Sequence, residues 1–301
     1  MPERPRRPDI LEKMMRRGYE KTTSSPENDE YRRVIYEDQH PRVEGKASQK
    51  KTPFGNPVET TAEIRRFALE KGADRVGFCL INQDWVYRES KVPHKYGIVL
   101  LKEMDYARIS EAPAASAGIE STRSYMVLGE IAVSLGEYIR KRGYEAIIHH
   151  PRGDRYCRGE LLFTPHAISA GLGEHGRNGL LINPDFGPRV RLGMVSTDLE
   201  IMVDGPVEKG ISRFCEYCLK CYRACPVRAI PLKLRKTRGQ EKFTIHRQLC
   251  APHFEKTDGC SVCIRECTFN QPTPQATRHI VERVAAWHEI VKANPDWPEI
   301  S

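Results

Sequence analysis

Apolar positions along the chain recur with two periods. Between residues 59 and 71, Ile64, Phe67 and Ala68 share one face at three-to-four spacing and Gly72 follows, which predicts a helix stopped by glycine. Residues 75–81 and 96–101 are short apolar runs and read as strands. The longest helical pattern covers 120–142, where Val127, Ile131, Leu135, Tyr138 and Ile139 recur and Gly143 stands at the C-terminal position. A short strand over 144–149, a short helix over 165–172 and a strand over 189–197 follow. A last helix over 277–292 presents Ile280, Val284, Trp287 and Val291 on one face. Strands alternating with helices from about residue 55 to 205 predict an α/β layer domain.

Outside these segments the chain changes character. Residues 1–52 mix basic and acidic groups without a long apolar period, and read as a charged N-terminal arm. Residues 53–205 form the α/β domain, and 206–301 a cysteine-rich domain with the C-terminal helix. Hydrophobic residues make up 39% of the 301, and no apolar run approaches the roughly 18 residues of a membrane span. Integral membrane proteins and wholly disordered chains are thereby excluded. The pairs Arg6-Arg7 and Arg16-Arg17 raise twin-arginine export, but the residues from Gly18 to Lys51 are polar where that signal needs an apolar stretch. The expected compartment is the cytoplasm, where clustered cysteines serve as metal ligands or catalytic groups more often than as disulfides.

Eight of the ten cysteines lie between Cys215 and Cys267. Cys215, Cys218, Cys221 and Cys225, followed by Pro226, have the spacing C-x2-C-x2-C-x3-C-P of a [4Fe–4S] site. Three thiolates in a tight loop reach three irons of one cube, and the fourth points to a second cube. The exchange rule for two-cluster proteins then gives one cluster to Cys215, Cys218, Cys221 and Cys267, and the other to Cys225, Cys250, Cys260 and Cys263. Thr268 stands where a second proline is expected, and Cys250 has irregular spacing. Paired cysteines also suit structural zinc, but the x2–x3–proline run favours iron–sulfur. Cys79, on an apolar strand, reads as a buried small hydrophobe, and Cys157 as a bystander in a polar segment.

The formal charge of +8 is concentrated here: eleven Lys or Arg against two Glu between Lys209 and Arg247 give +9. Such an excess offsets the negative charge of thiolate-bound clusters. Any surplus would dock an acidic electron donor, such as ferredoxin or flavodoxin, or a nucleic-acid backbone. Two clusters form an electron wire, and a wire needs a terminus. The 150-residue domain ahead of it points to a second redox cofactor.

The run from Ala170 to Gly193 includes Gly171-Leu-Gly-Glu-His-Gly-Arg-Asn-Gly179 and Gly187-Pro-Arg-Val-Arg191, and the double cysteine motif follows it. In this order the features resemble the corrinoid-dependent reductive dehalogenases and, less closely, epoxyqueuosine reductase. The resemblance covers roughly residues 120 to 270. It implies a nitroreductase-like cobalamin-binding domain followed by a ferredoxin-like domain with two [4Fe–4S] clusters. It further implies an organohalide substrate, Tyr125 as proton donor, and Arg191 as the cation that stabilises the phenolate left behind. A phenol of ordinary pKa near 10 can supply the proton, and a permanently charged guanidinium suits the second role. Gly171, Gly173, Gly176 and Gly179 are implied to line the corrin tail, and Leu181 and Leu192 to contact the cofactor. No strand precedes Gly171-x-Gly173-x-x-Gly176 in a βαβ unit, so a dinucleotide site is discounted. The family holds its cofactor without a protein ligand, so none is expected of His149, His150, His166 or His175. The rival readings are an epoxyqueuosine-type enzyme acting on tRNA and a non-enzymatic electron carrier or corrinoid-handling protein. For the first, only Asp154 has a claim to the family's aspartate, and its surroundings differ. The arginine-bearing insert of residues 150–164 bears on substrate identity.

Overall fold

A computed structural model of the chain describes residues 25–153, 159–237, 240–257 and 259–294. In chain order its elements are helices α1 (Pro26–Arg33) and α2 (Pro57–Glu70), strands β1 (Arg75–Leu80) and β2 (Tyr96–Glu103), and helices α3 (Tyr106–Ser110) and α4 (Ala115–Lys141). Strand β3 (Ala146–His149), helix α5 (Phe163–Ser169) and strands β4 (Glu174–His175), β5 (Leu181–Ile182) and β6 (Val190–Thr197) follow. Then come helices α6 (Ile211–Cys218) and α7 (Lys220–Ala224), the hairpin strands β7 (Arg235–Thr237) and β8 (Gln240–Lys242), and helices α8 (Arg247–Lys256), α9 (Val262–Arg265) and α10 (Pro274–Ala293).

The content is mixed α/β, and the chain packs as two interleaved units rather than breaking once near residue 205. One unit gathers residues 1–103, 121–172 and 191–206, the other 104–120, 173–190 and 207–301. Composition marks only the last of these segments. The two inserted ones have no distinguishing pattern, so a linear reading of the chain passes over them.

In the first unit a four-stranded sheet has the order β1-β2-β6-β3. β1 and β2 are antiparallel from Arg75↔Leu101 to Leu80↔Tyr96, and β3 and β6 from Ala146↔Thr197 to His149↔Met194. Helix α2 begins with a capping box between Asn56 and Glu59 and with Pro57 in its first turn, which satisfies backbone donors that a helix start leaves open. Its Ile64 and Ala68 join Phe78, Ile98 and Leu100 from the sheet and Leu128, Ile131, Leu135 and Ile139 from α4 in one buried cluster. Burial of each large aliphatic side chain stabilises the unit by about 1.5–3 kcal/mol. Cys79 is buried on β1, its thiol directed to the Gly97 carbonyl oxygen at 3.7 Å, and burial pushes it up to about 12.

Residues 26–43 depart from the charged-arm expectation. Helix α1, capped by Ser25, runs directly into a π-helical segment, Val34–Gln39, and a last turn, His40–Val43. Isolated groups anchor it in place of an apolar stripe. Ile35 and Gln39 are buried, and Arg42 pairs with Glu137 at 2.7 Å and Glu130 at 2.9 Å, both on α4. An element held by single contacts has no period to read.

The second unit has two apolar clusters. One joins Ile182, Ile211, Phe243, Phe269, Val281 and Val284. The other joins Met104, Ile109, Ala112 and Ala117 with Ile264 of α9. On α10 the buried positions include Val281, Val284, His288 and Val291, and Trp287 meets Phe214 and Tyr217 edge-on. Among the described residues no helix is long and apolar enough to cross a membrane.

Candidate functional site

In the second unit the eight cysteines separate into two sets. Cys215, Cys218, Cys221 and Cys267 line one cavity, together with Arg177, Asn178, Ile182, Thr268 and Phe269. Cys215 and Cys218 come from α6, Cys221 from α7 and Cys267 from just beyond α9, so residues 46 positions apart share one hollow. Burial pushes the Cys215 thiol up to about 12 and Cys221 to about 11, and the neighbouring sulfurs add to the effect. Cys267 is raised by burial, then by Cys215, Cys221 and Cys218.

The second set is Cys225, Cys250, Cys260 and Cys263. Burial and then Cys225 and Cys260 raise Cys250, while Cys263 feels Cys221 as well as Cys250, Cys260 and Cys225. The irregularly spaced Cys250 therefore stands with this set. Each run turns sharply after a cysteine: Leu219, after Cys218, and Ser261, after Cys260, both adopt left-handed backbone at φ 53° and 55°. Such conformations cost of order 1–3 kcal/mol and persist where surrounding structure demands them. Thiols raised by burial are poor ligands until a metal binds, because a coordinating cation deprotonates them. Among the described residues no three His, Cys, Asp or Glu converge closely enough for a single ion.

Sequence reasoning marks Thr268 only as a departure from proline and misses the pair Arg177-Asn178. The Thr268 hydroxyl lies 3.2 Å from Cys218 Sγ, so the departure from proline places a hydrogen-bonding group on a sulfur. In the second unit the glycine-rich stretch brings Arg177 and Asn178 into the cysteine cavity. A Cβ on Gly173, at φ 150°, would strike the Ile182 carbonyl across the β4–β5 pair, so the hairpin itself accounts for this glycine. Leu181 is buried within the same hairpin.

In the first unit Tyr125 and Arg191 come together. The Arg191 guanidinium lies 5.2 Å from the centre of the Tyr125 ring, and its Nε and Nη2 donate to Ser121 Oγ at 3.2 and 2.6 Å. Ser121 precedes Tyr125 by one turn of α4, so the serine holds the arginine beside the phenol. Tyr125 is half-buried, and no hydrogen-bond partner takes its hydroxyl among the described residues. Arg152, from the arginine-bearing insert, lies 5.7 Å from the same ring. A chain of hydrogen bonds fixes its backbone: Gln39 Nε2 donates to the Met126 carbonyl at 2.8 Å, His150 Nε2 to Gln39 Oε1 at 3.0 Å, and Arg152 N–H to His150 Nδ1 at 3.1 Å. The chain starts and ends beside Tyr125. Burial drives His150 down to about 3, which keeps its ring neutral as this bonding requires.

His149 bonds Glu160 and, at 2.9 Å, Ser196 Oγ. His166 donates from Nδ1 to the Leu162 carbonyl at 2.7 Å, and burial lowers it to about 4. His175 falls to about 4 for the same reason. Gly171 belongs to the first unit with half-buried Leu192, while Gly176 and Gly179 belong to the second. Cys157 and Asp154 lie outside the described residues.

No protein-family profile matches the chain. The tetrachloroethene reductive dehalogenase of Desulfitobacterium hafniense is 32% identical over 248 residues, 78% of this chain and 43% of the relative. That of Sulfurospirillum multivorans is 28% identical over 266 residues, 72% and 51% of the two chains. The chain thus spans about half the length of these relatives or less. An epoxyqueuosine reductase of Synechococcus sp. (strain RCC307) is 32% identical over 132 residues, 42% of this chain and 40% of the relative. A solved reductive dehalogenase, described by its mechanism for B12-dependent dehalogenation, aligns with TM-score 0.72 at 27% identity over 88% of this chain and 40% of the other. The catabolic reductive dehalogenase NpRdhA, in complex with 3-bromo-4-hydroxybenzoic acid, shares the fold with TM-score 0.82 at 24% identity over 97% of this chain and 46% of the other. By likeness in both sequence and fold over most of its length, the chain belongs to the reductive dehalogenase family.

Proposed function

We propose that this chain is a cobalamin- and iron–sulfur-dependent reductase that cleaves a carbon–halogen bond, with Tyr125 as proton donor. The observation that carries the reading is the half-buried phenol, its hydroxyl without a hydrogen-bond partner among the described residues, flanked by the guanidiniums of Arg191 and Arg152. The overall conversion is R–X plus two electrons and one proton to R–H and X⁻. Tyr125 supplies the proton from its hydroxyl, and the phenolate that remains is stabilised by the Arg191 guanidinium.

The residues fit the implied cofactors by donor type. Two sets of four cysteine sulfurs suit two [4Fe–4S] clusters, since each thiolate takes its own iron and no common centre is needed. Gly171, Gly173, Gly176, Gly179, Leu181 and Leu192 are the residues that the family resemblance assigns to a corrinoid. When bound, the corrinoid supplies the low-potential metal at which the carbon–halogen bond opens. The basic excess of residues 209–247 offsets cluster charge and recruits an acidic donor of the ferredoxin or flavodoxin kind.

The test compares Tyr125→Phe with wild type after anaerobic loading with iron, sulfide and cobalamin. Halide release from tetrachloroethene and from 3-bromo-4-hydroxybenzoic acid is followed with a chemical reductant. The variant should keep its iron and cobalt and lose at least about a hundredfold in turnover, as loss of a general acid does. Unchanged turnover would remove Tyr125 from the chemistry, and wild-type protein that binds neither metal would remove the reading altogether.

A further inference from the structure

Arg177 carries a charge that the chemistry above leaves unused. It is 2% exposed. Its guanidinium donates only to backbone carbonyls: Nε to Cys215 at 2.8 Å, Nη1 to Pro231 at 2.8 Å and Leu232 at 2.6 Å, and Nη2 to Glu216 at 2.8 Å. Its Cζ lies 4.1 Å from the centre of the Phe243 ring. The Glu216 carboxylate is turned to Arg213 at 2.6 Å, so Arg177 has no carboxylate partner among the described residues. A cation buried without an anion is costly, and carbonyl dipoles alone return only part of its hydration. Neutral donors would bracket those carbonyls without that cost. The cavity beside Arg177 supplies the missing sign, for it is walled by Cys215, Cys218, Cys221 and Cys267.

We propose that Arg177 is the built-in counter-charge of the cluster held by Cys215, Cys218, Cys221 and Cys267, and that it sets this cluster's reduction potential above the value the thiolates alone would give. The inference rests on the reading of those cysteines as cluster ligands. Reduction adds one negative charge to the cluster, and a fixed cation in a dry site favours the more negative form. Arg177 lines the cavity of one cysteine set, so the cluster of Cys225, Cys250, Cys260 and Cys263 serves as an internal control.

The experiment is an EPR-monitored redox titration of the anaerobically reconstituted full chain, with Arg177→Met and Arg177→Lys beside wild type and iron counted in each. Arg177→Met should lower the reduced-to-oxidised ratio of one cluster about tenfold at fixed potential, equivalent to 59 mV for a one-electron couple. The other couple should hold, and Arg177→Lys should stay near wild type in both. Selective loss of half the iron in Arg177→Met, with retention in Arg177→Lys, would support the same role. Four outcomes would overturn it: no shift, equal shifts in the two variants, movement of both couples together, or equal iron loss in both variants. The last would make Arg177 a bracket for the carbonyls. Wild-type protein that takes up no iron fails earlier, at the cluster reading itself, and takes this inference with it.

Discussion

Arg191→Gln removes the cation from Tyr125 while keeping a side chain able to hydrogen-bond Ser121. In wild type the guanidinium carbon lies 5.2 Å from the ring centre. Negative charge spreads over phenol and ring as the proton leaves, so that distance sets the interaction. At an effective dielectric constant of 20 the attraction is about 3 kcal/mol. Both residues are half-buried, and water reaching the pair doubles the screening, leaving about 1.6 kcal/mol. At 1.36 kcal/mol per factor of ten, the variant should lose roughly 15-fold in the protonation step. Arg191→Lys keeps the charge but loses the double contact of Nε and Nη2 with Ser121, so it should fall between the two. The assay is single-turnover halide release from pre-reduced enzyme, which separates chemistry from substrate binding and electron delivery. If Arg191→Gln, with iron and cobalt at wild-type levels, reacts within twofold of wild type, Arg191 does not stabilise the phenolate.

Gln39→Leu cuts the hydrogen-bond chain that ties residues 26–43 and Arg152 to α4. It strands the His150 Nε2–H in a buried site, so urea denaturation should register a loss of about 1–3 kcal/mol, and an unchanged midpoint would show the chain to be incidental. His150 and His166, which burial lowers to about 3 and about 4, stay neutral in the folded chain, whereas the unfolded chain takes up protons below about 6.5. Stability present above pH 6.5 should therefore fall as pH drops toward 4, by about 2 kcal/mol per histidine at pH 5. Urea midpoints that are flat from pH 7 to pH 5 would contradict this.

Legibility differed by element for physical reasons. Helix α2, strands β1, β2, β3 and β6, and α10 are evident because each buries one continuous face, and burial of a face writes a period into the chain, whereas the two- and three-residue strands β4, β5, β7 and β8 are too short to show one. That Cys215, Cys218, Cys221 and Cys267 share a cavity is foreseeable because spacing is local for the first three, and the exchange rule names the distant fourth. Spacing says least about Cys250, which the exchange rule assigns only by elimination. The pairing of Tyr125 with Arg191 came from resemblance alone, since 66 positions of sequence separate them and nothing in composition couples them. Helix α1 and its π-helical extension were hidden because polar, bonded contacts hold them. Arg177 was hidden in another way: surrounded by glycines, it looked like part of a ligand-cradling loop. A lone arginine inside a glycine run directly ahead of a cysteine motif is the signal that could have exposed it.

The interleaving of the two units bears on dissection of the protein. The face of Ile264 packs on Met104, Ile109, Ala112 and Ala117, and the cavity of the first cysteine set takes Arg177 and Asn178 from a segment some forty residues upstream of Cys215 and Cys218. A fragment that starts near residue 206 would keep every sulfur and forfeit its flooring. Such an excised module should refold poorly. Grafting it as a portable electron carrier would require splicing residues 104–120 and 173–190 back beside it.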